Sequence, residues 1–292
     1  MTRKKKLSKI FNFGTIVIIR INFNGRLTLP ETLLATVYNR SLRYGDGLFE
    51  TMYWDGFQIR NDEFHLDRLF QGLQFLQFDL TAGFTRSYIF EEIKRLCVNN
   101  ASAIRARVRL NVYREDGEVL RPEENKPVFI IESAPLPDDD EKPLRLTVYQ
   151  KEKKFAGQMS NLKTNNYLLN ILALQYAVQN GFDESLILNH RGDLCEAVSS
   201  NLVMMQRGIL LMPALTEGCV AGTKRRELLE TLPSLGYEIK ETIISPAMLP
   251  DMEEIFLTNA IRGIRPVSEI DGHGFSSDRT RLLMRIMNKT KE

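Results

Sequence analysis

The chain is short of the residues that would place it in several broad classes. Its 292 residues include three cysteines, three histidines and one tryptophan. Cys97, Cys195 and Cys219 are odd in number and scattered, so neither a disulfide framework nor a zinc site is expected, and no other metal site is foreseen. Such sparse usage suits a reducing, cytoplasmic setting. Charge of one sign is also lacking. Lys and Arg number 39 against 37 Asp and Glu, for a net +2. No global basic field points to nucleic acid. The one basic cluster, Arg3-Lys4-Lys5-Lys6 with Lys9, reads as a solvated tail over residues 1–15. Long apolar runs are missing too. Thr15-Ile16-Val17-Ile18-Ile19 ends at Arg20, far short of the roughly 20 residues that span a bilayer. No small-residue cleavage site follows it, so it reads as a strand and not a signal peptide.

What is present is ordinary globular patterning, with 43% hydrophobic residues. Asn22-Phe23-Asn24-Gly25-Arg26 reads as a strand entering a turn. Thr51–Trp54, Asp55-Gly56 and Phe57–Ile59 read as a hairpin. Phe64, Leu66, Leu69, Phe70, Leu73, Leu76 and Leu80 recur at helical spacing, and a second helix is expected near Tyr88–Val98. Ile104–Leu110 alternates as a half-buried strand does, with Val128–Ile131 as its partner. Three prolines and an acidic run in 134–143 cannot hold a regular element. The expected organisation is therefore a small domain over 16–134, a linker over 135–143 and a larger domain over 144–292. In the larger one, Leu144–Gln150, Ser185–Leu188, Asn201–Met205, Ile209–Met212, Tyr237–Ile243 and Ile255–Leu257 read as strands. Asn166–Asn180, Thr223–Leu232 and Ser277–Lys289 read as helices.

Two residues carry the chemistry. Lys163 stands in Ser160-Asn161-Leu162-Lys163-Thr164-Asn165-Asn166-Tyr167-Leu168. Glu196 stands in Leu194-Cys195-Glu196-Ala197-Val198-Ser199-Ser200-Asn201. A lysine amine forms an imine with an aldehyde, and a carboxylate holds a protonated pyridine nitrogen. These are the two ends of a pyridoxal 5′-phosphate (PLP) site. Lys151, Lys153 and Lys154 read as solvated lysines, and His65 as an ordinary buried or surface histidine.

The text around these residues resembles the class IV aminotransferases, PLP enzymes of fold type IV. That family includes branched-chain and D-amino-acid aminotransferases and aminodeoxychorismate lyases. The resemblance runs from about Asn24 to Val267 in six blocks. Tyr44-Gly45-Asp46-Gly47-Leu48-Phe49-Glu50 resembles the family's aromatic-Gly-Asp-Gly-x-Phe-Glu stretch, which puts Tyr44 and Phe49 on the substrate side. His65-Leu66-Asp67-Arg68-Leu69 puts Arg68 at the phosphate-binding arginine. Lys163, Asn166, Tyr167 and Leu168 match Lys-x-x-Asn-Tyr-Leu. By resemblance Lys163 makes the Schiff base and then shuttles a proton, so it must be neutral for part of the cycle, and Tyr167 bonds the cofactor's phenolic oxygen. Glu196-Ala197-Val198-Ser199-Ser200-Asn201 puts Glu196 at the ring nitrogen.

The fifth block, Glu217-Gly218-Cys219-Val220-Ala221-Gly222-Thr223-Lys224-Arg225, departs from the family's Leu-Pro-Gly-Ile-Thr-Arg. Val220 stands where a leucine packs on the ring. Thr223 and Lys224 enter a helix whose backbone N–H groups and dipole would bind phosphate. The sixth, Phe256-Leu257-Thr258-Asn259-Ala260, completes the cup with Asn259 and Ala260.

The resemblance implies two α/β (α+β) domains: a small N-terminal one and a larger C-terminal one with a mixed sheet. It also implies a homodimer. The implied activity is transfer of the amino group of a small amino acid to a 2-oxo acid. The alternative is 4-amino-4-deoxychorismate lyase, which releases pyruvate and 4-aminobenzoate. Phe49-Glu50-Thr51-Met52-Tyr53 lacks the arginine of branched-chain enzymes, and Thr258-Asn259-Ala260 resembles the lyases. Arg114 matches an arginine that can meet a substrate carboxylate, with Arg107 and Arg109 as alternatives.

Overall fold

A computed structural model describes residues 19–33, 35–80, 83–100, 105–137 and 142–289. The basic cluster, most of the apolar run at 15–19 and the acidic run at 138–141 lie outside them. Ile19 itself is in no strand. The chain folds into two compact units.

The first unit holds residues 19–60 and Gln77–Leu136. Strands β1 (Ile21–Phe23) and β2 (Arg26–Thr28) form a hairpin about Asn24-Gly25. Both turn residues have positive φ, which the short polar side chain of Asn24 and the absent one of Gly25 tolerate. Helix α1 (Arg40–Tyr44) is capped by the Asn39 side chain and closed by Gly45 at φ 66°. It leads into β3 (Gly47–Trp54). After helix α2 (Asp62–Phe75), which belongs to the second unit, come α3 (Arg86–Asn99), β4 (Ala106–Arg114) and β5 (Pro127–Pro135). The strand order is β2-β1-β5-β4-β3. Alternation along β4 buries Ala106, Val108, Leu110 and Val112, while Arg107 and Arg109 point to the other face. The expected hairpin at Asp55-Gly56 shrinks to a single bridge, Trp54 to Ile59. The Asp55 carboxylate takes the N–H groups of Phe57 and Gln58 into a local turn, and β3 pairs with β4 instead.

The second unit holds Asn61–Leu76 and Pro137–Glu292. Its strands are β6 (Leu144–Lys154), β7 (Glu184–Asn189), β8 (Leu194–Ala197), β9 (Asn201–Gln206), β10 (Ile209–Pro213), β11 (Ile239–Thr242), β12 (Glu254–Asn259), β13 (Gly263–Ile270) and β14 (His273–Gly274). The helices are α4 (Leu168–Gln179), α5 (Thr223–Thr231) and α6 (Asp278–Lys289), besides α2. The nine-stranded sheet runs β11-β10-β9-β12-β13-β6-β7-β8, with β14 on β13. It is mixed: β10–β11, β13–β6 and β6–β7 are parallel. Its central strands are buried on both faces and read as apolar runs. Along β9 and β12, Leu202, Met204, Ile255 and Leu257 fill one core. Val203, Met205 and Phe256 fill another under α5 and α6, with Leu228, Leu283 and Met287.

Further elements differ from the sequence reading, which does not give β2, α1 or β14 either. Strands β8 and β13 follow their predecessors so closely that periodicity merged them into loops. Helix α2 ends at Phe75 because Gln77 turns into positive φ, so Leu80 is off its stripe. The expected division at 135–143 counted α2 with the first domain, yet it groups with the second unit. Polar ties explain this: the Asn61 side chain donates to Glu227 at 2.5 Å, and Arg226 pairs with Asp67 at 2.8 Å.

Candidate active site

The second unit gathers the residues of four sequence blocks around the loop 220–222. The Val220 N–H donates to Glu196 Oε2 at 2.8 Å. The Val220 carbonyl accepts from Asn201 Nδ2 at 2.9 Å. At Ala221, the N–H donates to the Asn161 carbonyl at 3.0 Å, and the carbonyl accepts from Arg68 Nη1 at 2.9 Å. Gly222 is the N-cap of α5 and brings no side chain to it. Among the described residues the N-cap of α5 therefore supplies no capping side chain, and the positive end of a helix is where an anion is favoured. A Cβ on Gly222 would lie 1.9 Å from Asn201 Oδ1, so this cradle admits only glycine without rearrangement.

Glu196 is 3% exposed on β8. Its Oε1 accepts from Lys154 Nζ at 2.6 Å, so both oxygens are held. Lys154 is thus no solvated lysine. β6 loses register with β7 between Tyr149 and Lys154, and this irregularity turns Lys154 inward while Lys151 and Lys153 stay exposed. No periodicity in the sequence signals it.

Lys163 follows a short 3-10 turn, Gln158–Asn161. Its half-buried Nζ lies 3.1 Å from the hydroxyl of Tyr167, the N-cap of α4. An amine and a phenol thus share one hydrogen bond. Asn161, two residues before Lys163, is fixed by its side-chain bonds to the carbonyls of Leu215 and Cys219.

At the start of α5, Thr223 and Lys224 are buried. Thr223 Oγ1 is 3.3 Å from Nε2 of His65, which is 1% exposed on α2. His65 is therefore a buried histidine that ties α2 to the helix start. Lys224 Nζ pairs with Glu227 at 2.8 Å. A cavity of about 170 Å³ opens here, lined by Arg68, Gly222, Thr223, Arg225 and Phe64 among others. Thr258, on the same strand as Phe256 and facing the same core, has a buried hydroxyl with no hydrogen-bond partner among the described residues. Asn259, at the end of β12, donates to Ser200 Oγ at 3.0 Å and accepts from the N–H groups of Ile261 and Arg262 across the turn at Ala260. Ser199 is in turn held by Glu184, whose carboxyl burial raises above the usual carboxylate range.

Tyr44, Phe49 and Arg114 lie in the first unit. The Tyr44 ring stands beside the Arg40 and Arg43 guanidinium groups, at 5.1 and 5.9 Å. Phe49 is buried beneath Arg109, 3.9 Å from its ring centroid. Arg114 is 6% exposed. Its guanidinium bonds Asp46 at 3.1 Å and Asn125, and stacks over Phe78 at 4.3 Å. Among the described residues no His/Cys/Asp/Glu cluster could hold a metal, and no helix is long and apolar enough to cross a membrane.

The sequence model of the family described as amino-transferase class IV matches residues 47–270, and the chain belongs to that family. Its fold is that of fold type IV enzymes. It superposes with a TM-score of 0.86 on a branched-chain aminotransferase of Thermoproteus uzoniensis, at 23% identity over 93% of this chain and 94% of the other. With 4-amino-4-deoxychorismate lyase of Pseudomonas aeruginosa the TM-score is 0.81, at 30% identity over 92% of this chain and 98% of the lyase. A branched-chain-amino-acid aminotransferase of Pseudomonas aeruginosa is 26% identical over 88% of this chain and 86% of its own length.

Proposed function

We propose that this chain is a PLP-dependent enzyme that transfers the amino group of a small amino acid to a 2-oxo acid. One observation carries the reading. Residues 220–222 link a buried carboxylate, a guanidinium, an uncapped helix start and the segment leading to Lys163. A pyridine ring with a phosphate at one end needs these groups in one place. The side-chain-free cradle at Gly222 is a feature that the phosphate end suits.

When bound, PLP supplies an aldehyde carbon and an electron-withdrawing ring. Lys163 would hold the group through that carbon and, once the substrate amine has taken its place there, its released amine would carry a proton away from the substrate Cα. Tyr167 would donate to the phenolic oxygen, and Glu196 would hold a proton on the ring nitrogen. Arg68 would grip the phosphate with paired hydrogen bonds, helped by the N–H groups of Thr223 and Lys224. Asn259 and Ala260 would close the cup, and Val220 would pack on the ring. Tyr44 and Phe49 would face the substrate. Arg114 would meet a substrate carboxylate, with Arg107 and Arg109 as alternatives; the Arg114 guanidinium also bonds Asp46 and Asn125, and Arg109 pairs with Glu132 at 3.9 Å.

A second reading is the lyase. The 30% identity to the Pseudomonas aeruginosa lyase and the run Thr258-Asn259-Ala260 favour it. A substrate panel separates the two. Protein loaded with PLP is given D-alanine, L-leucine, L-glutamate and aminodeoxychorismate, each with spectral and pyruvate readouts. Loss of the visible band with one amino acid, and its return with a 2-oxo acid, supports the transaminase. Pyruvate from aminodeoxychorismate, with the band unmoved by all three amino acids, overturns it in favour of the lyase.

The chain is also proposed to act as a cytoplasmic homodimer. Leu168, Ile171, Leu174 and Val178 of α4 are exposed apolar side chains that a second copy could cover. Light scattering on the full chain gives the mass, and a monomer would refute the dimer.

A further inference from the structure

We infer that Lys154 is a positioning residue that aims the Glu196 carboxylate at the ring nitrogen of the bound cofactor. The inference rests on the PLP reading above. Lys154 sits where β6 has lost register with β7, and its carbonyl is pinned by the His190 N–H at 2.9 Å. Its side chain is 17% exposed and that of Glu196 4%. Nζ donates to Glu196 Oε1 at 2.6 Å and to the Ser160 carbonyl at 3.1 Å. One amine therefore joins the ring-end carboxylate to the turn that precedes Lys163.

A carboxylate can rotate about its last torsion, and a terminal sp³–sp² torsion is soft. Here Lys154 holds one oxygen and the Val220 N–H holds the other, so the plane of the group is fixed. Each carboxylate oxygen still has a lone-pair site for a third donor, and a protonated ring nitrogen is such a donor. Without Lys154 the carboxylate would be buried with one donor and no cation, which is costly unless the group turns or takes up a proton. Either change removes the acceptor that the ring nitrogen needs.

Lys154→Met, Lys154→Arg and wild-type full-length chains are titrated with PLP, and the visible spectrum of each loaded protein is recorded. Thermal melting of each apo-protein reports folding separately. Wild type is expected to bind with a visible band. Lys154→Met should bind PLP roughly ten- to a hundredfold more weakly, the scale of one lost hydrogen bond to a charged group, with a shifted band at saturation. Lys154→Arg should restore both affinity and band. Equal affinity and an unchanged band in a folded Lys154→Met chain would overturn the inference, as would failure of Lys154→Arg to restore them. If Lys154→Met does not fold, Lys154→Arg alone decides in the same way. No PLP binding by wild type would instead sink the PLP reading itself, and the inference with it.

Discussion

The backbone N–H of Val220 donates to the buried carboxylate of Glu196 at 2.8 Å. One residue on, the Ala221 carbonyl receives the Arg68 guanidinium, and one further, Gly222 opens α5. The two ends of the candidate site are thus set by three consecutive backbone units, whose positions the surrounding side chains hold.

Gly222→Ala should be damaging although its φ of −65° suits any residue. The new Cβ would meet Asn201 Oδ1 at 1.9 Å. Overpacking of this kind costs about 1–3 kcal/mol. The variant is expected to melt at lower temperature and to bind PLP more weakly. Adding Asn201→Ala should recover part of the melting loss. No loss in the single variant would show that the cradle is not tight.

Arg68→Ala should weaken PLP binding by about tenfold or more, because a charge-assisted hydrogen bond is lost. At saturating PLP the visible band should persist, since Arg68 is proposed to act at the phosphate and not at the imine. Unchanged affinity in an equilibrium titration would remove Arg68 from the phosphate site.

The three thiols are expected to be inert in the folded protein. All are buried, and burial pushes Cys97 up to about 12, Cys219 up to about 11 and Cys195 well above its ordinary value. The thiolate is the reactive form. Labelling with a chromogenic disulfide near pH 8 should be slow in the native chain and should reach three thiols on unfolding. Rapid native labelling would contradict the buried placement.

Glu184 makes a pH-dependent contribution of definite sign. Burial raises its carboxyl pKa above the ordinary 4.5, against the opposing bonds from Ser199. A folded-state pKa raised above the unfolded one gives stability that is full below the unfolded value and is lost as pH rises through the folded one. Glu184→Gln keeps an acceptor for Ser199 without the charge. Its melting temperature relative to wild type should therefore rise between pH 4.5 and neutrality. A difference that falls over that range would contradict the assignment.

Much of this architecture was legible in the sequence, for physical reasons. β4 declares itself because a half-buried antiparallel strand must alternate, and α2 and α3 because their buried faces recur at helical spacing. Arg68, Lys163, Tyr167, Glu196 and Thr223 stand in short local motifs, which is why the sequence singles them out as candidates, and all five fall in the second unit. What was not legible depends on tertiary contact. Lys154 looks like its neighbours Lys151 and Lys153 until the register shift turns it to Glu196. His65 meets Thr223 from 158 positions away. Arg114 matches a motif, yet its guanidinium is taken by Asp46 and Asn125, neither of which can be inferred from spacing.

The most direct test of the account is the identity of the lysine that holds the cofactor. Purified chain is incubated with PLP, reduced with borohydride and digested, and the modified peptide is sequenced by mass spectrometry. The account predicts a phosphopyridoxyl group on Lys163 and loss of the visible band in Lys163→Ala. Modification of Lys154 or of another lysine instead, or no specific modification at all, would contradict it.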